Sequence, residues 1–168
     1  MSWFYELLST LVAVLALRLF VVSLARIKGR SMLPTLHDRD FALVWRLSYL
    51  FRQPRRGEVV ICHYPGRRMK HLPFIPQAFV KRVIGLPGDT AEWVEGELLL
   101  NGQPLREPYL DPARCRFQRT RPPLTLGPDE YYVLGDNRDS SNDSRSVGPI
   151  RHRAIRGRVI CLLFRRIR

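Results

Sequence analysis

After Arg30, no long stretch of this chain keeps a helical period. Short runs rich in Val, Ile, Leu and aromatic residues recur instead, broken by Gly and Pro, and such runs bury their apolar side chains as strands. They are Phe41–Arg46, Glu58–Tyr64, Ala78–Gly85, Thr90–Val94, Glu97–Leu100, Glu130–Leu134 and Arg158–Phe164. Val94-Glu95-Gly96-Glu97 reads as a hairpin turn. Asn101-Gly102 reads as a second, because both residues tolerate positive φ. The expected fold is mainly β, antiparallel and partly barrel-like. Residues 92–125 read as an inserted hairpin followed by a loop carrying Pro104, Pro108, Pro112, Pro122 and Pro123.

Before this region, Trp3–Ala25 is predominantly apolar, interrupted by Glu6 and Arg18. Its 23 residues, as a helix, span about 34 Å, enough to cross a bilayer core. Trp3 and Tyr5 suit one interface, and Arg18 can snorkel toward the other. The start lacks the basic region of a cleavable signal, and the run is too uniformly apolar for a helix lying flat. A single transmembrane helix over residues 3–25 is therefore expected. Arg26, Lys28 and Arg30 crowd its far flank, a bias that places the following domain in the cytoplasm.

The formal net charge is +13. Such a charge suggests nucleic acid first and anionic lipid second. No nucleic-acid motif accompanies the arginines, so with the apolar span the reading favours membrane lipid and expects no nucleic acid. A generally basic surface with no partner accounts for the charge nearly as well. Cys62, Cys115 and Cys161 are too few and scattered for a disulfide framework, and none has metal-ligand spacing. Cys62 and Cys161 lie in apolar runs and read as small buried side chains.

Three segments carry candidate chemistry. Ser31 lies six residues beyond the proposed span, so at most about 20 Å of chain separates it from the bilayer. Alone it reads as a turn or capping serine. It is not in a G-x-S-x-G elbow, and nothing marks His37, His63, His71 or His152 as its base; His63 and His71 read as surface residues. Lys81 shares a strand face with Phe79 and Val83, while Val80, Arg82 and Ile84 share the other. Either its amine snorkels to water, or burial strips its proton and makes it a base near neutral pH. The third segment, Gly135–Arg145, has no apolar side chain and reads as a loop. It can also lock itself with Asp–Arg pairs and present a hydroxyl to a neighbouring group. Its arginines and the lack of a terminal Glu argue against Ca²⁺.

In order along the chain stand Ser31-Met32-Leu33-Pro34-Thr35-Leu36, Arg56-Gly57-Glu58-Val59-Val60, Lys81 to Asp89, and Gly135-Asp136-Asn137-Arg138-Asp139 running to Asp143-Ser144-Arg145. Taken together they resemble the type I signal peptidases, the S26 family of serine peptidases with a Ser/Lys dyad. The resemblance implies a signal-peptidase/SOS-repressor-type catalytic core over residues 26–91 and 126–168, interrupted by the inserted β region at 92–125. It implies that Ser31 is the nucleophile and Lys81 the general base, and that Ser141 offers a hydroxyl to the lysine amine. Asp143 and Arg145 would form a supporting ion pair. Met32, Leu36, Phe79 and Val80 would line a pocket for small residues. Some members carry a serine two residues before the nucleophile to help bind the oxyanion; here that place is Gly29, which leaves the Ser31 backbone N–H as the chief donor.

The implied function is removal of signal peptides from exported preproteins, after small residues, with no metal or cofactor. The implied location is the outer face of the plasma membrane, single-pass, against the flanking-charge bias. The alternatives are an organelle inner-membrane relative processing imported proteins, and an inactive, basic, membrane-tethered binding protein. The anchor and the inserted hairpin argue against a self-cleaving SOS-repressor domain.

Overall fold

The computed structural model describes residues 2–16, 21–69, 72–116 and 118–164. Helix α1 covers Ser2–Ala16. Eleven strands follow: β1 Val22–Arg26, β2 Phe41–Trp45, β3 Val59–Met69, β4 Leu72–Gly85, β5 Thr90–Val94, β6 Glu97–Leu100, β7 Gln103–Pro104, β8 Arg121–Thr125, β9 Glu130–Leu134, β10 Ile150–Arg151 and β11 Ile155–Phe164. A one-turn helix α2, Ser144–Val147, lies between β9 and β10.

The strands form two open antiparallel sheets. The larger has the order β1-β2-β11-β3-β4-β9-β10 and the smaller β7-β6-β5-β8. Neither closes, so the expectation of a partly barrel-like fold is corrected to open sheets. The two hairpin turns form as the sequence predicts. Glu95 and Gly96 have φ of 49° and 90°, Asn101 and Gly102 of 54° and 76°. Positive φ at both central residues matches the right-handed twist of the flanking strands.

Three departures have physical causes. Val22–Arg26 is not the end of a helix but a strand, paired with β2 in the register Val22↔Trp45 to Arg26↔Phe41. Its side chains suit either state, and the available edge of β2 decides. Among the described residues no helix is long and apolar enough to cross a membrane. Secondly, Arg121–Thr125, read as loop because of Pro122 and Pro123, pairs with β5 through Ala91↔Leu124 and Trp93↔Arg121. It is an edge strand, where a missing N–H is tolerated. Thirdly, Cys161 is exposed on β11, not buried; Cys62 is buried and Cys115 intermediate. Arg18 and His71 lie outside the described residues.

Three apolar clusters hold the layers together. Val60, Cys62, Tyr64, Val83, Tyr131 and Val133 form one within the large sheet. Ile84, Tyr132 and Leu134 pack on Trp93, Leu98 and Leu100, joining the two sheets. Ile27, Met32, Leu36 and Ala42 form the third, which seats the segment carrying Ser31.

Candidate active site

Ser31 stands on the loop between β1 and β2. Backbone bonds close the loop at its base, Ile27 N–H to Asp40 O at 2.8 Å and Arg39 N–H to Ile27 O at 2.9 Å. Met32 and Leu36 are buried beneath it, 2% and 3% exposed. Gly29 has φ of +91° and donates its N–H to Asp38 Oδ1 at 2.8 Å. The positive φ accounts for glycine there, since an L side chain would be strained. With its N–H engaged by Asp38, Gly29 has no donor left for an oxyanion. The Ser31 N–H has no partner within the chain among the described residues.

Lys81 projects from β4 on the Phe79–Val83 face, as strand alternation predicts. It is 2% exposed, and its Nζ lies 2.9 Å from Ser31 Oγ. Burial is the chief cause that lowers its pKa; Asp143 and Cys62 oppose the shift, and Arg145 adds to it. No carboxylate pairs with the amine among the described residues. Cys62 lies nearby on β3, its thiol pushed up to about 12 by burial and thus inert. An amine whose hold on its proton is loosened by burial, 2.9 Å from a hydroxyl, is placed to take that hydroxyl's proton.

The segment after β9 clamps this pair. Asn137 N–H donates to Ser31 O at 3.0 Å, and Asn137 Nδ2 to Arg30 O at 3.1 Å. Gly135 packs so closely that an added Cβ would stand 2.4 Å from Ser31 O and 2.2 Å from Ser141 Oγ. Asp143 is fully buried and binds Arg145 with two 2.9 Å bonds. It also accepts from Gly135 N–H at 3.1 Å. Burial pushes its carboxyl up, but the bonds and charge of Arg145 outweigh this and leave it below the ordinary carboxylate value. Ser144 Oγ accepts from Val133 N–H at 2.9 Å and pins α2 to β9.

Ser141, expected to bond the lysine amine, makes no such bond among the described residues; its buried Oγ lies near enough to Asp143 to help hold that carboxylate down. Of the expected pocket residues, Met32, Leu36 and Val80 share one cluster. Phe79 belongs to another, on the Lys81 face, its ring 4.9 Å from that of Tyr64. A cavity of about 490 Å³ lies behind the loop, between Thr35, Gly57, Val59 and β11, with neither Ser31 nor Lys81 in its wall. A serine, a buried lysine and an oriented backbone N–H can together carry out acyl transfer.

A family model described as signal peptidase, peptidase S26, matches residues 1–164. This chain belongs to that family. A signal peptidase I of Leptolyngbya laminosa is 39% identical over 152 residues, covering 90% of this chain and 73% of that protein. A probable signal peptidase I-1 of Synechocystis sp. is 38% identical over 159 residues, covering 94% and 79%. The crystal structure of a signal peptidase I from Enterococcus faecalis covers 65% of this chain and 98% of that one, with a TM-score of 0.53 and 29% identity.

In this S26 member, sequence reasoning missed a second buried ion pair. Arg82 binds Asp136 through Nε to Oδ1 at 2.9 Å and Nη2 to Oδ2 at 2.6 Å. Thr35 Oγ1 donates to Asp136 Oδ2 at 2.5 Å, and Arg82 also reaches Gly57 O at 2.8 Å. The pair therefore ties the serine loop, β4 and the Gly135 segment together. The sequence signal was present: an arginine in an apolar strand, facing away from Lys81. Arg138 is likewise buried and paired with Glu107 at 2.6 Å, coupling the second sheet to the same segment.

Proposed function

We propose that this chain is a membrane-tethered serine endopeptidase that removes signal peptides from exported preproteins. The observation that carries the reading is the 2.9 Å contact between Ser31 Oγ and the buried amine of Lys81. Neutral Lys81 takes the Ser31 proton as Oγ attacks the scissile carbonyl. The Ser31 N–H stabilises the oxyanion, a contribution on the order of 3 kcal/mol for one good donor. The C–N bond then breaks, Lys81 returns the proton to the leaving amine of the mature protein, and the signal peptide stays as an ester on Ser31. Lys81 next takes a proton from water as that water attacks the ester, and returns it to Ser31 Oγ as the C–Oγ bond breaks; the signal peptide leaves as an acid that ionises to a carboxylate in water. The substrate lies as an added strand beside β4. Met32, Leu36 and Val80 meet the side chains near the cut and favour small ones, with Phe79 flanking from the opposite strand face.

The apolar N-terminal segment is the tether, and the β domain lies on the outer face of the plasma membrane. Strand register supports a site close to the bilayer. Val22, Trp45, Arg158, Val60 and Lys81 form one continuous row across the sheet. Lys81 is thus about 19 Å, four strand spacings, from the point where the chain arrives from α1. Leu24 and Trp45, 48% and 42% exposed, offer apolar surface at this edge. Anionic lipid is the expected surface partner of the basic domain.

The test is cleavage of a preprotein by detergent-solubilised protein, with the cut site read by mass. The native chain should give a signal fragment ending in a small residue. Ser31→Ala and Lys81→Ala should each lose on the order of a thousandfold or more. Cleavage that survives either change refutes the assignment.

A further inference from the structure

The β3–β4 hairpin is longer than the sheet requires. β11 accompanies β3 no further than Cys62, and β9 accompanies β4 only from Arg82 onward. Beyond the His63↔Ala78 pair no third strand pairs with them among the described residues, and they pair with each other through Arg68↔Pro76 and Met69↔Leu72. An isolated two-stranded ribbon is marginal in water, so such an arm gains from a surface to lie on.

Its direction follows from the register. β3 runs antiparallel to β1, because β1–β2, β2–β11 and β11–β3 are each antiparallel. From the row shared by Val22 and Val60, β3 therefore climbs toward the side from which the chain arrives from α1. Register shifts at His63/Arg68 and Arg68/Met69 shorten the arm, so that Val60 to Met69 advances about 20 Å. Sheet twist of about 20–25° per strand tilts β3 by about 60–75° from β1 over three steps, which leaves the arm on that side.

Its chemistry is one-signed. Residues 64–78 contain no Asp or Glu. Arg67 and Arg68 are exposed and make no ion pair among the described residues. Phe74 is 71% exposed and is held beside Arg68, whose Nη1 donates to Phe74 O at 3.3 Å. Unpaired guanidiniums next to a bare aromatic ring suit a phosphate layer over acyl chains. A purely polar anionic partner would leave the ring unused.

We propose that the β3–β4 arm docks on an anionic bilayer surface through Arg67, Arg68 and Phe74, and so fixes the tilt of the Ser31–Lys81 site over the membrane. A single tether sets the distance of the domain from the bilayer but not its orientation; a second contact sets both. The inference rests on the reading of the N-terminal segment as a tether, which decides which side of the sheet faces lipid.

The test reconstitutes the full chain carrying Phe74→Trp in vesicles of phosphatidylcholine, with and without phosphatidylglycerol, whose acyl chains are brominated near the headgroup. Emission of the added indole is obtained by difference from the native chain. It should be quenched in the anionic vesicles. Arg67→Gln and Arg68→Gln should each lower the docked-to-free ratio about fivefold. An indole unquenched in both vesicle types overturns the proposal, as does quenching indifferent to the two arginines. An indole shielded from aqueous iodide only when a preprotein is added also overturns it, assigning the arm to the substrate. The readout needs no cleavage, so it stands apart from the peptidase assay, and a chain that does not co-float with vesicles refutes the tether itself.

Discussion

Replacing Lys81 by methionine should stabilise the protein at neutral pH and lose that advantage in alkali, while abolishing cleavage. The wild-type amine is 2% exposed, faces a hydroxyl at 2.9 Å and has a pKa lowered by burial from 10.5. The unfolded chain therefore holds this proton more tightly than the folded one. Below the folded pKa the full cost is present, about 1.4 kcal/mol for each pH unit between the folded and unfolded values. As pH rises from the folded pKa to 10.5 the cost disappears, so wild-type stability climbs through that window. Methionine is similar in length and carries no charge. It forfeits the bond to Ser31, a loss of about 0.5–1.5 kcal/mol that is independent of pH. Urea unfolding of both proteins in detergent, at pH 7 and at a pH above 10.5, isolates the ionisation contribution, because the lost bond and all other titrations cancel in the double difference. The acidic limb of kcat/KM should fall at the same lowered pKa, with activity rising as the amine loses its proton. A stability difference that is equal at both pH values would mean that Lys81 stays charged in the fold, and the proton-acceptor role would fail with it.

Gly135→Ala should reduce acylation of Ser31 by one to two orders of magnitude, on the order expected for an ångström-scale misplacement, because the new methyl would meet Ser31 O at 2.4 Å and Ser141 Oγ at 2.2 Å. Single-turnover kinetics would show the loss in the acylation step, and full activity would contradict the packing. Arg145→Met should cost about 3–5 kcal/mol by leaving Asp143 buried without its partner. It should also move the acidic limb of kcat/KM to higher pH, since Arg145 lowers the Lys81 pKa and Asp143 raises it. A limb unmoved in a folded variant would separate the ion pair from the lysine.

Strand alternation alone separated Lys81 from Arg82, and Phe79 from Val80, and the structure keeps both separations. It therefore also disfavours a single pocket holding Phe79 and Val80 together, which the family resemblance suggested. The turns at Glu95-Gly96 and Asn101-Gly102 were legible because local backbone energetics decide them. Less legible was whatever distant partners decide. Val22–Arg26 becomes a strand because β2 offers an edge, and Arg121–Thr125 because β5 does. The Arg82–Asp136 pair joins residues 54 apart, a relation that spacing cannot reveal.

The same pairings explain how the lysine pKa can be lowered among carboxylates. Asp143 and Asp136 both act to raise its pKa, and either one free beside the amine would draw it into an ion pair and protonate it. Each is instead gripped by two bonds from an arginine, Asp143 by Arg145 and Asp136 by Arg82. A bidentate guanidinium occupies the outer oxygens in a fixed fork, and Arg145 offsets part of the pull that Asp143 exerts on the lysine. Desolvation is then left as the largest influence on Lys81, and it favours the uncharged amine. The two buried arginines thus act at a distance from the bond being cut. They engage the carboxylates that would otherwise pair with the amine, and among the described residues Ser31 Oγ is its hydrogen-bond partner.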